Sequence, residues 1–169
     1  MRGASWVSTA DERVPETRLP RARRSRFWAA FFPAWYRLVR LGEPFLRRWL
    51  THRALGDTVE LTVRGRRSGL SRHVLLGLLS VDGVCYLGHP AGVAAWTANL
   101  VAADGARVAI PNREPMTVRA TLVEDVFERE RVIRATFRQH PFPGNVVYWL
   151  ARDHIRAVGR FYRLEVVDG

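Results

Sequence analysis

From Asp57 to the end of the chain, hydrophobic and polar residues alternate in short runs that are separated by turn residues. The first run, 58–63, alternates residue by residue and ends in a loop that contains two glycines. A second run, 72–81, turns at Asp82-Gly83 into a third run, 84–87. Alternation with a period of two, joined by an Asp-Gly turn, is typical of antiparallel hairpins. The sequence therefore predicts a three-stranded meander.

The remainder of this region combines further strands with helical periodicity. We predict helices over 94–103, 126–138 and 145–158, with Pro141 and Pro143 ending the second, and strands over 107–111, 115–124 and 160–167. Roughly six strands with helices inserted between them favour an α+β fold, a small antiparallel β-barrel with flanking helices, over a parallel βαβ sheet.

Two segments precede the predicted barrel. The first segment, 1–26, carries few apolar groups and is predicted to be a flexible basic tail. The second has aromatic residues at three- and four-residue spacing, as in an amphipathic helix. Pro33 and Pro44 suit first helical positions and Gly42 suits a helix end, so this extension is predicted to form two short helices. The expected organisation is a tail over 1–26, helices over 27–56 and one barrel domain over 57–169.

The charge of the chain is strongly positive. All 27 basic residues among its 169 are arginine, 16 residues are acidic, and the formal net charge is +11. Such a chain attracts anions, although a GC-rich genome also enriches arginine without selection on chemistry. Nucleic-acid binding is not expected, because no recognisable reading motif accompanies the charge.

The cysteine and histidine content limits which disulfides and metal sites the chain can form. Cys85 is the only cysteine, so the chain can form no internal disulfide, which fits a reducing, cytoplasmic location. The five histidines lack metal-ligand spacing, and no metal site is expected. The longest apolar stretch, 27–36, is well short of the ~20 residues that cross a bilayer.

The aromatic residues are concentrated before the barrel. Eight of the 18 lie between Phe27 and Trp49, interspersed with arginine. This composition fits a helix lying in the interface of an anionic bilayer, such as the inner face of the cell membrane. Equally, the aromatic side chains could cover one mouth of the barrel.

The segment from Leu61 to Arg72 contains the strongest candidate for ligand binding. Its two glycines allow a tight loop with exposed backbone N–H groups, Arg66, Arg67 and Arg72 can donate to anions, and Ser68 adds a hydroxyl. The alternative is a solvated hairpin tip that is merely basic.

This loop, the Asp-Gly turn, a Gly/Pro-containing loop over 88–93 and the run Trp96-Thr97-Ala98-Asn99-Leu100 together resemble the deazaflavin-dependent nitroreductase family over about 57–124. Members have a split β-barrel similar to FMN-binding flavoreductases and use coenzyme F420 as a hydride carrier. The resemblance implies that the phosphate and carboxylated tail of the coenzyme are held by Arg66, Arg67, Ser68 and Arg72, and that its ring is bordered by His89, Gly92, Trp96 and Asn99.

The sequence departs from the family at two points. Many members have a Ser-Lys-Gly-Gly loop where this chain has the shorter 88–92, Gly-His-Pro-Ala-Gly, and other branches have a short Gly-Pro loop there. Trp96-Thr97 stands where Trp-Tyr is common.

The resemblance implies an oxidoreductase that passes a hydride from reduced F420 to a quinone, an enone or a nitro compound, with FMN bound less well than F420. His89 and Tyr148 are the candidates for handling a proton, while buried tyrosines more commonly have structural roles. The alternative function is a non-catalytic split barrel that binds a lipid, haem or a flavin-like ligand. The oligomeric state is left open, with a homodimer among the options.

Overall fold

The computed structural model describes residues 21–41, 58–111 and 113–167. Its elements, in chain order, are α1 (Arg26–Leu41), β1 (Thr58–Arg64), β2 (Ser71–Val81), β3 (Val84–His89), α2 (Ala95–Ala102), β4 (Ala106–Ala109), β5 (Met116–Leu122), α3 (Val126–Gln139), α4 (Gly144–Leu150), α5 (Arg152–Val158) and β6 (Arg160–Val166).

The six strands form a closed barrel in the order β1-β2-β3-β6-β5-β4, with every neighbouring pair antiparallel. The α+β barrel predicted from the sequence is confirmed. The β2–β3 hairpin turns at Asp82 and Gly83, whose φ angles of 52° and 80° are those of a tight hairpin turn. This is the turn that the Asp-Gly pair predicts.

The interior of the barrel is filled by alternate residues of the strands. On β1, Val59, Leu61 and Val63 point inward and are buried, whereas Glu60 and Thr62 between them are half-exposed. Helix α2 adds Trp96 and Leu100 to the same core, so it packs across one end of the barrel. The other buried members of this cluster are Leu87, Ala106, Val108, Val118 and Tyr162.

A second core lies between the outside of the barrel and the helices. Leu79, Tyr86 and Phe161 point outward from β2, β3 and β6, and they meet Phe32 of α1. The same cluster includes Val123, Val132, Ile133, Ala151 and Ile155. Strands that are apolar on both faces are therefore those that have the barrel interior on one side and helices on the other.

Helix α1 is held against the body at its start. The backbone N–H of Arg23 donates to the Asp153 carbonyl at 2.9 Å, and that of Ser25 donates to Nδ1 of His154 at 3.1 Å. The Ser25 hydroxyl accepts from the N–H of Trp28 at 3.5 Å, as an N-cap residue does. These contacts fix α1 against α5.

The prediction that Pro33 begins a helix is wrong, because α1 runs from Arg26 through Pro33 to Leu41. A proline inside a helix costs about 3 kcal/mol, and the burial of Phe32 and the aromatic residues beside it offsets this cost. The helix predicted after Pro44 and residues 1–20 of the predicted tail lie outside the described residues.

The helix predicted over 145–158 is divided in two. Ala151, with φ −85° and ψ 3°, separates α4 from α5. Among the helices of the described segments, none has both the length and the apolar character needed to cross a membrane.

Candidate functional site

The loop between β1 and β2 is tightly closed by its own backbone. The N–H of Gly65 donates to the Leu70 carbonyl and that of Gly69 donates to the Gly65 carbonyl, both at 2.8 Å. Gly69 has φ +68°, a conformation that favours glycine. A Cβ atom at Gly65 would lie 2.9 Å from the Ser68 hydroxyl and 3.2 Å from the Leu70 carbonyl, so a side chain there would displace Ser68.

Arg66 is tied to helix α2 by a neutral side chain. Its backbone N–H and its Nη1 both donate to Oδ1 of Asn99, each at 3.3 Å. Sequence reasoning expected both residues at the site, and the structure brings them together. Because an amide orients Arg66 without neutralising it, the guanidinium retains its positive charge for another partner.

Two further arginines at this loop have no partner. Among the residues that the structure describes, the side chains of Arg67 and Arg72 make no hydrogen bond or ion pair. Arg72 pairs with Val63 in the β1–β2 register, which places it on the inward side of the sheet at the start of β2. The 61–81 stretch contains no acidic residue, so this end of the barrel carries concentrated positive charge.

Two arginines elsewhere have close carboxylate partners. Arg156 binds Glu130 at 2.9 Å and Asp153 at 3.0 Å, and Arg163 binds both oxygens of Glu128. The hydrogen bonds from Arg163 lower the pKa of Glu128, against a smaller opposing effect of burial. Arg156 and Arg163 therefore hold the fold together, whereas Arg67 and Arg72 have no such carboxylate in the described part of the chain.

A groove of about 480 Å³ opens beside the loop. It is lined by Arg64, Gly65, Arg66, Gly69, Ala102, Ala103, Asp104 and Gly105. Asp104 is fully exposed and faces Arg119 at 3.9 Å. The Arg64 Nε donates to the Gly69 carbonyl at 3.1 Å, which holds its side chain over the loop.

His89 lies in an aromatic cluster at the end of β3. Its ring stacks on Tyr36 with the centroids 5.2 Å apart, and it meets the edge of Trp96 at 6.1 Å. Its Nδ1 is buried with no hydrogen-bond partner among the described residues. Burial lowers the pKa of His89 to about 4, opposed by a backbone contact with Gly92, so the imidazole is neutral at pH 7.

Trp96 and Gly92 are placed by packing requirements. Trp96 is only 8% exposed, and its indole meets Tyr162 within the barrel core at 6.2 Å. Gly92 has φ +88°, and a Cβ there would approach the Val158 carbonyl to 3.0 Å. Their contacts with a coenzyme ring stay predictions.

Tyr148 is half-buried against the second core, away from the loop of arginines. Its hydroxyl lies 3.4 Å from that of Tyr36, and burial raises its pKa. It therefore reaches His89 only through Tyr36. Sequence reasoning missed Tyr36, although its four-residue spacing from Phe32 and Trp28 places all three on one helical face.

A second groove, of about 400 Å³, lies at the opposite end of the barrel. Its lining is largely apolar and consists of Leu78, Gly83, Val84, Cys85, Val108, Ile110, Met116, Val118, Arg163, Leu164, Glu165 and Val166. Over the described ranges, no group of three or more His, Cys, Asp or Glu side chains could hold a metal ion.

Comparisons with known proteins address the fold. No family model matches the chain, and no curated protein is significantly similar to it. HutZ, the haem storage protein of Vibrio cholerae, superposes with a TM-score of 0.51 at 14% identity, over 75% of this chain and 91% of that chain. This similarity shows that the two proteins share a split-barrel fold.

Two other solved structures are similar at slightly lower TM-scores. An F420-H2 dependent reductase, FDR-A, has a TM-score of 0.49 at 20% identity, over 64% of this chain and 94% of that one. A pyridoxamine 5′-phosphate oxidase-like protein from Listeria innocua has a TM-score of 0.48 at 11% identity, over 72% of this chain and 93% of that one.

Proposed function

We propose that this protein is a deazaflavin-dependent oxidoreductase that binds reduced coenzyme F420 and passes a hydride to an electron-poor small molecule. Quinones, enones and nitro compounds are the acceptor classes. The observation that carries the proposal is the glycine-hinged loop on which Arg66, Arg67 and Arg72 have no acidic partner in the described part of the chain.

The charge of the loop suits the anionic part of this coenzyme. F420 has a phosphate and a carboxylated tail, and planar guanidinium groups bind both kinds of anion through paired hydrogen bonds. Arg66, Arg67 and Arg72 would supply these bonds, with the Ser68 hydroxyl as a further donor. FMN lacks the carboxylated tail and would bind less well.

The cluster around His89 suits the ring of the coenzyme. A flat heterocycle with polar edge atoms would satisfy the buried Nδ1 that has no partner in the described structure. The rings of Tyr36 and Trp96 border the same imidazole. Asn99, on the same helix as Trp96, links α2 to Arg66. When bound, reduced F420 would supply the hydride, which is the difficult part of the chemistry.

The residues of the chain would orient the partners and handle the proton. With a pKa of about 4, His89 is not an imidazolium donor at pH 7, so its role is a neutral hydrogen bond. The hydroxyls of Tyr36 and Tyr148 remain protonated at this pH, and burial raises the pKa of both. Tyr36, which contacts His89, would deliver a proton to the acceptor, and Tyr148 would position its hydroxyl.

A non-catalytic ligand-binding barrel is the second candidate, and His89 also favours it. A buried neutral imidazole without a partner is a ligand that haem iron accepts. A haem protein would show a Soret band after reconstitution that His89→Ala abolishes, and it would not turn over reduced F420.

Titration of the purified full-length protein with F420, followed by fluorescence, tests the proposal. Each charge-assisted hydrogen bond contributes about 1.5 to 3 kcal/mol, so Arg66→Ala, Arg67→Ala or Arg72→Ala is expected to weaken binding by roughly 10- to 150-fold. Arg131→Ala is the matched control, because Arg131 is also exposed but lies near Asp82 at the far end of the barrel.

Turnover is then measured as the loss of reduced F420 with menadione or a nitroimidazole as acceptor. Unchanged F420 affinity in all three loop variants contradicts the site. Binding of F420 without turnover of any acceptor contradicts the catalytic function while leaving the binding site in place.

A further inference from the structure

The apolar surface of α1 is wider than the surface that the body covers. Phe32 is fully buried, and Trp28 and Tyr36 on the same side are half-buried against the second core. Phe27 and Leu38, on the adjoining side, remain 65% and 64% exposed. A helix that only covered its own domain would place polar residues there.

The outer side of α1 combines exposed and half-buried apolar residues, since Phe31 and Trp35 lie half-buried between Phe27 and Leu38. Phe27, Phe31 and Trp35 follow one another at four-residue spacing, with near-parallel rings whose centroids are 5.9 and 5.8 Å apart. Leu38 continues the row by one turn. These four residues, called here the aromatic row, form an apolar strip along the edge of α1, with Phe31 also packed against the second core and Phe27 and Leu38 exposed at its two ends.

Positive charge surrounds the aromatic row. The 21–41 segment contains six arginines and no acidic residue, so its formal charge is +6. Arg26 and Arg37 are exposed and lie about 100° around the helix from Phe27 and Leu38, on one common side. Arg21, Arg23 and Arg24 are exposed just before the helix.

This arrangement selects one class of partner. A second copy of the chain is disfavoured, because a symmetric contact through α1 would bring two identical positive segments together. An anionic lipid surface is complementary: aromatic side chains enter the boundary between head groups and acyl chains, while arginines at the side reach the phosphates. With 16 residues, α1 is about 24 Å long, and it would lie in the plane of the membrane.

We propose that the aromatic row, with Arg26 and Arg37, docks this protein onto the surface of an anionic lipid bilayer. The inference is independent of the proposed catalytic function, since it uses no residue of the arginine loop. It also gives α1 two roles, because the opposite side of the same helix places Tyr36 against His89.

Sedimentation of the full-length protein with vesicles tests the docking surface. Vesicles of phosphatidylcholine with phosphatidylglycerol are expected to bind the protein at low salt, and vesicles of phosphatidylcholine alone to bind it much less. Raising the salt to about 1 M, where the Debye length is about 3 Å, should release most of the protein.

Substitutions then separate the apolar from the charged contribution. Phe27→Ser with Leu38→Ser is expected to lower the partition coefficient by roughly 10- to 100-fold, and Arg26→Gln with Arg37→Gln by about 10- to 30-fold. Phe127→Ser is the control, because Phe127 is also an exposed phenylalanine, at 58%, but belongs to α3. Thermal unfolding of each variant verifies that the fold is retained.

Three outcomes would overturn the proposal. The first is equal binding of wild type and the Phe27→Ser, Leu38→Ser variant. The second is equal binding to neutral and anionic vesicles. The third is no vesicle binding together with a dimer in solution that the same double variant dissociates, which would assign the aromatic row to a second copy of the chain.

Discussion

The two ends of the barrel have open grooves of similar volume, about 480 and 400 Å³, with very different linings. One end has a tight glycine loop, arginines without carboxylate partners and the helix that contributes Asn99. The groove at the other end is lined mainly by aliphatic side chains, and the one arginine among its described lining residues, Arg163, is bound to Glu128. The two ends are therefore distinguished by charge, since the two volumes hardly differ.

The largest effect is expected from breaking the helix that covers the arginine end. Trp96 anchors α2 in the barrel core, and its replacement by alanine should lower the free energy of unfolding by about 3 to 5 kcal/mol. Met116→Ala at the apolar end should cost less, because Met116 is half-exposed. Urea unfolding measures both. A cost below about 1 kcal/mol for Trp96→Ala would contradict its anchoring role.

The second prediction concerns the stability of the protein at low pH. The pKa of His89 is lowered from 6.5 to about 4 by burial, so unfolding lets the imidazole take up a proton. The stability due to neutral His89 is complete above pH 6.5 and is lost as the pH falls towards 4, by about 3 kcal/mol. His89→Phe should remove this part of the acid sensitivity.

Urea unfolding of wild type and His89→Phe at a series of pH values measures how the free energy of unfolding of each depends on pH. The pKa values of His140 and His154 are also lowered by burial, and their effects cancel in the difference between the two proteins. Parallel pH profiles for the two proteins would show that His89 titrates normally.

A third, smaller effect should follow from one isosteric change at the arginine end. Asn99→Asp would put a carboxylate where Asn99 Oδ1 now lies, 3.3 Å from the Arg66 Nη1. The new ion pair should compete with an anionic ligand and weaken F420 binding about 10-fold. Glu165→Gln at the apolar end is the control and should leave binding unchanged. Tighter binding by Asn99→Asp would exclude Arg66 from the anion site.

The smallest effect is expected at the apolar end. Cys85 is half-buried in the groove there, so Cys85→Ala should change stability by no more than about 1 kcal/mol and should preserve F420 binding and turnover. Alkylation of wild type provides a parallel measurement. Loss of activity in Cys85→Ala would move the functional site to this groove.

The sequence was sufficient for most of the barrel. Strands such as 58–63 alternate cleanly because one side of each faces the interior, and the Asp-Gly pair fixed the position of the β2–β3 turn. The ends of the helices were harder to predict. Pro33 indicated a boundary, yet tertiary packing of its aromatic neighbours overrode that local preference. The break at Ala151 was missed, because no proline or glycine stands there.

Only part of the candidate site could be predicted from the sequence. The glycines and arginines of the loop are contiguous in sequence, and the resemblance to the nitroreductase family suggested Asn99 and His89. The contact of Arg66 with Asn99 spans 33 positions and that of Tyr36 with His89 spans 53, so both depend on how the helices pack. Periodicity gives the apolar side of a helix but not the surface that it meets.

Closure of the barrel also determines how the protein comes apart. Each described strand pairs with a neighbour on both sides over part of its length, so the hydrogen-bonded ladder runs all the way round the barrel. Amide hydrogens in the ladder should therefore exchange together, through cooperative opening of the whole barrel. Helix α1 is held by the backbone bonds of Arg23 and Ser25, by its buried side chains and by the contact between the Tyr36 and Tyr148 hydroxyls. Its amides should exchange first, as a separate unit that detaches while the barrel stays folded.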